Sequence, residues 1–166
     1  MGEKGWLHRF LLPDFDRRFL LRAAAVALGA YLLFGFCLLP LVVRGRSMEP
    51  TYRDGSFTFC WAFSYLFHGP RRGDVVAVRL AGRRVVLLKR VVALEGEEVS
   101  FAGGVLFVDG APAQEPYLRI PCDWNLEPRR VRPGHIYLVG DNRAVPMEQH
   151  DFGQTPVSRV LGRPLW

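Results

Sequence analysis

Two residues carry the chemistry that this sequence can support. Ser47 lies in Gly45-Arg46-Ser47-Met48-Glu49-Pro50-Thr51. Glycine permits close backbone approach there, and proline stiffens the turn that follows. A serine in such a loop is ordinarily a turn residue, and Lys89 is what makes it more. Of the 22 basic residues, all but Lys4 and Lys89 are arginine, and Lys4 stands near the N-terminus. Lys89 sits in the run Arg84–Leu94 (RVVLLKRVVAL). On a strand, Val85, Leu87, Lys89, Val91 and Ala93 share one face. A lysine in an apolar face is desolvated, which disfavours the ammonium and lowers its pKa. The neutral amine accepts a proton near neutral pH, which a guanidinium does not. The alternative for Lys89 is an edge lysine that discourages aggregation or snorkels to water. Together the pair proposes a serine nucleophile activated by a neutral lysine. Lysine takes the hydroxyl proton, serine attacks a carbonyl, and an acyl-enzyme forms. The same amine then activates the deacylating water, and backbone N–H groups near Ser47 stabilise the oxyanion.

The elements that must position these residues begin with an apolar run. Ala23 to Val43 carries no formal charge over 21 residues. At a helical rise of about 1.5 Å per residue it spans roughly 30 Å, the thickness of a bilayer's hydrocarbon core. Arg17, Arg18 and Arg22 flank one end, and Arg44 and Arg46 the other. The run is too long for a cleaved signal peptide and no small-x-small site follows it. A soluble core helix would show a polar stripe. The expected organisation is therefore a cytoplasmic tail over 1–22, a transmembrane helix over 23–43, and an extracytoplasmic domain over 44–166, by the positive-inside bias. Ser47, four residues past Val43, falls within about 14 Å of the anchor's end at an extended reach of about 3.5 Å per residue.

The remainder reads as strands and turns. Asp74–Leu80, Arg84–Leu94, Val99–Phe101, Val105–Val108 and His135–Val139 are expected strands, with a hairpin across Ala-Gly-Gly and a turn at Asp109-Gly110. The proline-rich stretches between Ala111 and Pro133 read as loops. Phe57–Phe67 (FTFCWAFSYLF) is either a core strand or strand pair, or a surface at the lipid interface. The expected fold class is mainly β: an antiparallel β-sheet domain behind one N-terminal transmembrane α-helix.

Composition sets the outer limits. With 166 residues, 49% hydrophobic and 23% charged, the chain is one domain plus an appended segment and not a disordered tail. The net charge of +6 is spread along the sequence. No zinc-finger spacing or basic recognition helix accompanies it, so a membrane surface explains it and no nucleic-acid partner is expected. Cys60 and Cys122 would face an oxidising compartment, where a bridge stays open. His68, His135 and His150 have no metal-ligand spacing, and neither a Gly-rich phosphate loop nor a Cys/His set is present, so no metal or cofactor is expected. A Ser47–His150–Asp151 triad is the rival constellation. Adjacent His and Asp side chains rarely orient each other, which disfavours it.

Four segments in register then carry a resemblance. They are Ser47-Met48-Glu49-Pro50-Thr51; Arg72-Gly73-Asp74-Val75-Val76; Lys89-Arg90-Val91-Val92-Ala93-Leu94-Glu95-Gly96-Glu97; and Gly140-Asp141-Asn142-Arg143, followed by Phe152-Gly153 and Gly162-Arg163. Over about residues 25–166 the chain resembles the type I signal peptidase family, the membrane-anchored Ser/Lys proteases that include the mitochondrial inner-membrane peptidases. The resemblance implies a β-rich domain with a shallow groove, whose edge an extended substrate strand joins. It implies cleavage of signal peptides from exported preproteins after small residues, at A-x-A sites. Ser47 would be the nucleophile, its own N–H an oxyanion donor, and Lys89 the general base. Met48 would help line the cleft. Asp141, Asn142 and Arg143 would hold the C-terminal loop against the active site. A monomer in a bacterial cell membrane is expected ahead of a mitochondrial inner membrane. The family usually continues Ser-x-Asp-Ser-Arg after Gly-Asp-Asn-Arg, whereas this chain has Met147, Glu148 and His150 at the Ser, Asp and Arg of that box. A processing peptidase dedicated to one secretion or conjugation system, or a relative that binds peptides without cutting, are the alternatives.

Overall fold

The computed structural model describes residues 16–79, 86–120, 122–144, 146–149 and 153–165. The chain divides into two compact units, Met1–Cys37 and Leu38–Trp166.

The first unit is a helix, α1 (Arg17–Leu32), prolonged by a π-helical turn over Leu33–Cys37. Asp16 caps it, its carboxylate accepting from the Phe19 N–H at 2.7 Å. No side chain of α1 is buried, and the 21-residue stretch Arg17–Cys37, whose most apolar 18-residue window has a mean hydropathy of 1.9, is long and apolar enough to cross a membrane. These limits differ from the predicted 23–43 at both ends. The helix starts at Arg17, and Leu38–Val42 is a strand, β1. An uncharged run cannot by itself separate a membrane helix from a strand, because apolarity is common to both. The second unit decides it. β1 pairs antiparallel with β2 (Phe57–Trp61), from Leu38 opposite Trp61 to Val42 opposite Phe57. Pro40, which cannot donate to a ladder, is tolerated because β1 is an edge strand.

The second unit holds two antiparallel sheets, in agreement with the expected fold class. Beyond β1 and β2 its strands are β3 (Val75–Arg79), β4 (Val86–Ala93), β5 (Glu98–Ala102), β6 (Val105–Val108), β7 (Ala111–Pro112), β8 (Leu126–Arg130), β9 (His135–Val139), β10 (Gly153–Pro156) and β11 (Val160–Pro164). The larger sheet runs β1-β2-β11-β3-β4-β9-β10, and the smaller β7-β6-β5-β8. The β5–β6 hairpin closes over Gly103-Gly104, both with positive φ, as a two-residue turn between paired strands requires. Two strands, β7 and β8, fall where proline suggested loops. Both are edges of their sheet, where Pro112 and Pro128 cost no ladder bond.

The central strands β3 and β4 are apolar on both faces, so they read as unbroken runs. Val75 and Ala77 join Val43, Met48, Cys60 and Leu88 in one core cluster. Val76 and Val78 face the other way, with Val91, Ile136 and Leu138. A third cluster, around Val99, Phe101 and Trp124, fills the space beneath the smaller sheet. The aromatic segment divides by strand period. Thr58 and Cys60 of β2 are buried, while Phe57 and Trp61 are exposed on its opposite face. Phe57 and Phe59 meet edge to face, 5.0 Å between centroids.

Candidate active site

Ser47 stands in the turn that leaves β1. Val43 accepts from Gly55 and donates to Ser56 across a loop neck, 2.9 and 2.8 Å, which fixes where the turn begins. Inside it, Glu49 donates to Arg46 and Tyr52 to Met48, at 3.2 and 2.9 Å. Met48 is only 1% exposed and packs with Val43, Cys60 and Leu88. It anchors the turn in the core.

The turn is tied to the end of β9. The Asn142 N–H donates to the carbonyl of Ser47 at 2.9 Å. The Asn142 side-chain amide donates to the carbonyl of Arg46 at 3.0 Å. Gly140 makes this approach possible. A Cβ built on Gly140 would collide with the carbonyl oxygen of Ser47 and lie 3.2 Å from its Cβ. Only glycine leaves the turn room to seat there.

Lys89 occupies the middle of β4 and is 4% exposed. It pairs with Val76, and strand period places it on the face of Val76 and Val91. On its other side β4 pairs with β9, Arg90 lying opposite Val139. β9 ends at Val139, so Gly140–Asn142, which holds the Ser47 turn, follows directly on the strand that pairs with β4 from Arg90, the residue after Lys89.

The next residue of β4 points away and is held differently. Arg90 donates from Nε and NH2 to the two oxygens of Asp141 at 2.7 and 2.6 Å, and from NH1 to the Gly73 carbonyl at 2.6 Å. Burial works against the Arg90 cation, yet its hydrogen bonds and attraction to the Asp141 carboxylate prevail, and its pKa is raised. The Thr51 hydroxyl donates to the same carboxylate at 2.6 Å, so Asp141 also grips the far end of the serine turn. Arg143 turns the opposite way. It donates to the Gly140 carbonyl at 2.8 Å and pairs with Glu115 at 2.6 Å.

Asp141 and Asn142 therefore touch the serine turn directly, and Arg143 touches it through Gly140. The sequence reading missed Thr51, Arg90 and Glu115 as contributors. Thr51 and Arg90 stand inside the quoted motifs, where an uncommitted hydroxyl and a guanidinium beside a buried lysine were the available signals. Glu115 offered none. Met147 packs against the core cluster of Val99, Phe101 and Trp124, and Glu148 is exposed. His150 and Asp151 lie outside the described residues. Cys60 and Cys122 are free thiols belonging to different clusters, and no bridge joins them. Burial pushes the Cys60 thiol up to about 11.

A two-sheet antiparallel domain, preceded by an apolar helix and carrying a buried lysine in its central strand and a serine turn tethered to the end of β9, is the architecture the residues define. A family model described as "Signal peptidase, peptidase S26" matches residues 17–166, and the chain belongs to that family. The probable signal peptidase I-1 of Synechocystis sp. is 32% identical over 145 residues, covering 82% of this chain and 74% of that protein. The probable thylakoidal processing peptidase 2 of Arabidopsis thaliana is 30% identical over 175 residues, and there the match spans 99% of this chain but 47% of the relative. A crystal structure of a signal peptidase I from Enterococcus faecalis superposes with a TM-score of 0.46 at 23% identity, covering 57% of this chain and 95% of that one.

Proposed function

We propose that the chain is a membrane-bound serine endopeptidase that removes N-terminal signal peptides from exported preproteins, with Ser47 as nucleophile and Lys89 as general base. The observation that carries this reading is Gly140, which seats the serine turn and directly follows β9, the strand that pairs with β4 from the residue after Lys89. Lys89 is buried in the middle of β4, and burial is the general means by which a lysine is made to serve as a base. It accepts the Ser47 hydroxyl proton as Oγ attacks the scissile carbonyl. The backbone N–H of Ser47 donates to the oxyanion that forms. The lysine ammonium then gives its proton to the departing amine, leaving an acyl-enzyme. Water, deprotonated by the same amine, attacks the ester carbonyl, and its proton returns to Ser47 as the peptide acid leaves.

The sheet supplies a place for the substrate. Among the described residues, β9 pairs with β4 only from Arg90 onward, so Val86–Leu88 have no strand neighbour on that side. An extended peptide laid along this edge gains main-chain hydrogen bonds and leads its scissile bond toward Ser47. Small residues before the cut, as at A-x-A sites, fit a groove of this kind. The apolar stretch Arg17–Cys37 crosses the bilayer with the preceding residues in the cytoplasm and the sheet domain outside it, as a monomer in a bacterial cell membrane. The exposed aromatic face of β2 meets the lipid interface, where Trp and Phe rings are favoured. Protease protection of tagged termini in sealed vesicles checks that orientation.

The test of the chemistry is cleavage of a preprotein bearing an A-x-A site by the full chain in detergent, with the cut located by mass spectrometry. Ser47→Ala and Lys89→Ala are each expected to abolish the cut and retain the parent's circular dichroism. Undiminished cleavage by Ser47→Ala overturns the assignment.

A further inference from the structure

Outside the motifs, one loop holds both arginines that grip the end of β9. It runs from β7 to β8 and presents Glu115 and Tyr117. The Tyr117 hydroxyl donates to Glu115 Oε1 at 2.6 Å. The same carboxylate receives Arg143 through NH2 at 2.6 Å and NH1 at 3.3 Å. The ring of Tyr117 lies under the Arg90 guanidinium, 3.8 Å from its centroid. Arg143 in turn donates to the Gly140 carbonyl, and Arg90 clasps Asp141. The contacts close on themselves: Gly140, Arg143, Glu115, Tyr117, Arg90, Asp141 and back to Gly140 along the chain.

Each member of this circuit is costly to release. Its two cations and two carboxylates balance. The Arg143 side chain has no exposed surface and that of Glu115 is 7% exposed, so each would leave an uncompensated buried charge if the other were lost. Phe101 and Trp124 flank the Arg143 guanidinium at 5.3 and 5.5 Å. Burial, followed by the hydrogen bond to Glu115, raises the Tyr117 pKa, so the phenol stays a donor.

We infer that Tyr117 is a positioning residue for the Ser47 turn: it fixes the Gly140–Asn142 segment, on which that turn rests, by joining its two arginine clamps. The inference rests on the Ser47–Lys89 reading for its kinetic consequence, but its structural content stands apart from that reading. Tyr117 touches neither reacting residue. It acts through Arg90 and Asp141 on one path and through Glu115, Arg143 and Gly140 on the other.

Tyr117→Phe keeps the ring under Arg90 and removes the donor to Glu115. Tyr117→Leu removes both. With the full chain in detergent micelles, kcat for preprotein cleavage is expected to fall about threefold in Tyr117→Phe and about tenfold or more in Tyr117→Leu, with KM within twofold of the parent. Amide hydrogen exchange at Asn142, whose N–H is held by the Ser47 carbonyl, is expected to quicken in the same order while the thermal midpoint hardly moves. Parent-like exchange at Asn142 in Tyr117→Leu overturns the inference, as does a lowered midpoint with kcat intact. Failure of the Ser47–Lys89 reading shows elsewhere, as cleavage by Ser47→Ala. Exchange at Asn142 does not depend on cleavage and decides the positioning role in either case.

Discussion

Lys89 and Arg90 are consecutive, basic and buried, at 4% and 9% exposure, yet the two faces of β4 treat them differently. On the Arg90 face a carboxylate, a backbone carbonyl and an aromatic ring satisfy the guanidinium. On the Lys89 face the strand neighbours are Val76 and Val91. The Arg90 face is built to keep a cation charged and fixed, and under the proposed mechanism the Lys89 face holds the amine that exchanges a proton. The difference teaches why the two residue types are not interchangeable here. Arginine stays protonated under any condition in which the chain folds, and its planar fork matches a carboxylate in two bonds. Lysine shifts its pKa readily on burial and offers a single amine.

Exchanging the types across the two faces is the most forceful way to break this comparison. Lys89→Arg keeps a positive side chain and removes the base, so the cleavage rate is expected to fall by about a thousandfold or more, within the span general-base removal covers. Activity near the parent's would mean that the Lys89 face needs charge and not a base. Gly140→Ala comes next. Its methyl group meets the Ser47 carbonyl, so the turn must shift. A displacement of about 1 Å at a reacting group costs about a hundredfold, and the strain lowers stability by roughly 1–3 kcal/mol. A rate unchanged beside a normal melting curve would remove Gly140 from the argument. Arg90→Lys follows. It retains a cation on the Arg90 face but loses one of the two bonds to Asp141 and the flat contact with Tyr117. About a tenfold fall in kcat is expected, with general-base chemistry intact, so the pH profile keeps its shape.

How far the sequence discloses the two faces follows from where their partners lie. Lys89 is legible because the chain uses arginine almost everywhere else and because its neighbours alternate as a strand does. That reading needs only adjacent residues. Asp141 is 51 residues from Arg90, and nothing short of the β4–β9 register makes them partners. The motifs give Asp141 a supporting place without saying what it holds. Glu115 and Tyr117 sit in a loop between edge strands with no periodicity to mark them. The apolar run 23–43 misleads at its end for a related reason. Leu38–Val42 are as apolar as the helix before them, and only their pairing with β2 makes them a strand. Local chemistry could be read, and long-range pairing could not.

The finest test of the comparison lies at Thr51, whose hydroxyl donates to Asp141 Oδ2 at 2.6 Å, an oxygen that Arg90 NH2 also reaches at 2.6 Å. Thr51→Val preserves shape and deletes one of the donors to that carboxylate. With Arg90 still in place the acceptor keeps its charged partner, so the expected loss in kcat is only about fivefold, the net worth of one hydrogen bond of about 1 kcal/mol. In Arg90→Lys the same substitution removes the second constraint on a carboxylate already loosened. The two changes should then depart from additivity by about 0.5 kcal/mol or more in a double-mutant cycle on kcat. Residues that share a partner couple, and residues on opposite faces of a strand need not. Pairing Thr51→Val with Lys89→Ala supplies no usable rate, so the contrast is read with Val76→Ala, on the Lys89 face. Additive losses there, beside coupled losses with Arg90→Lys, would show that the carboxylate face acts as one unit. Equal coupling to both would mean that β4 transmits strain through its whole thickness and that the two faces are not separate devices.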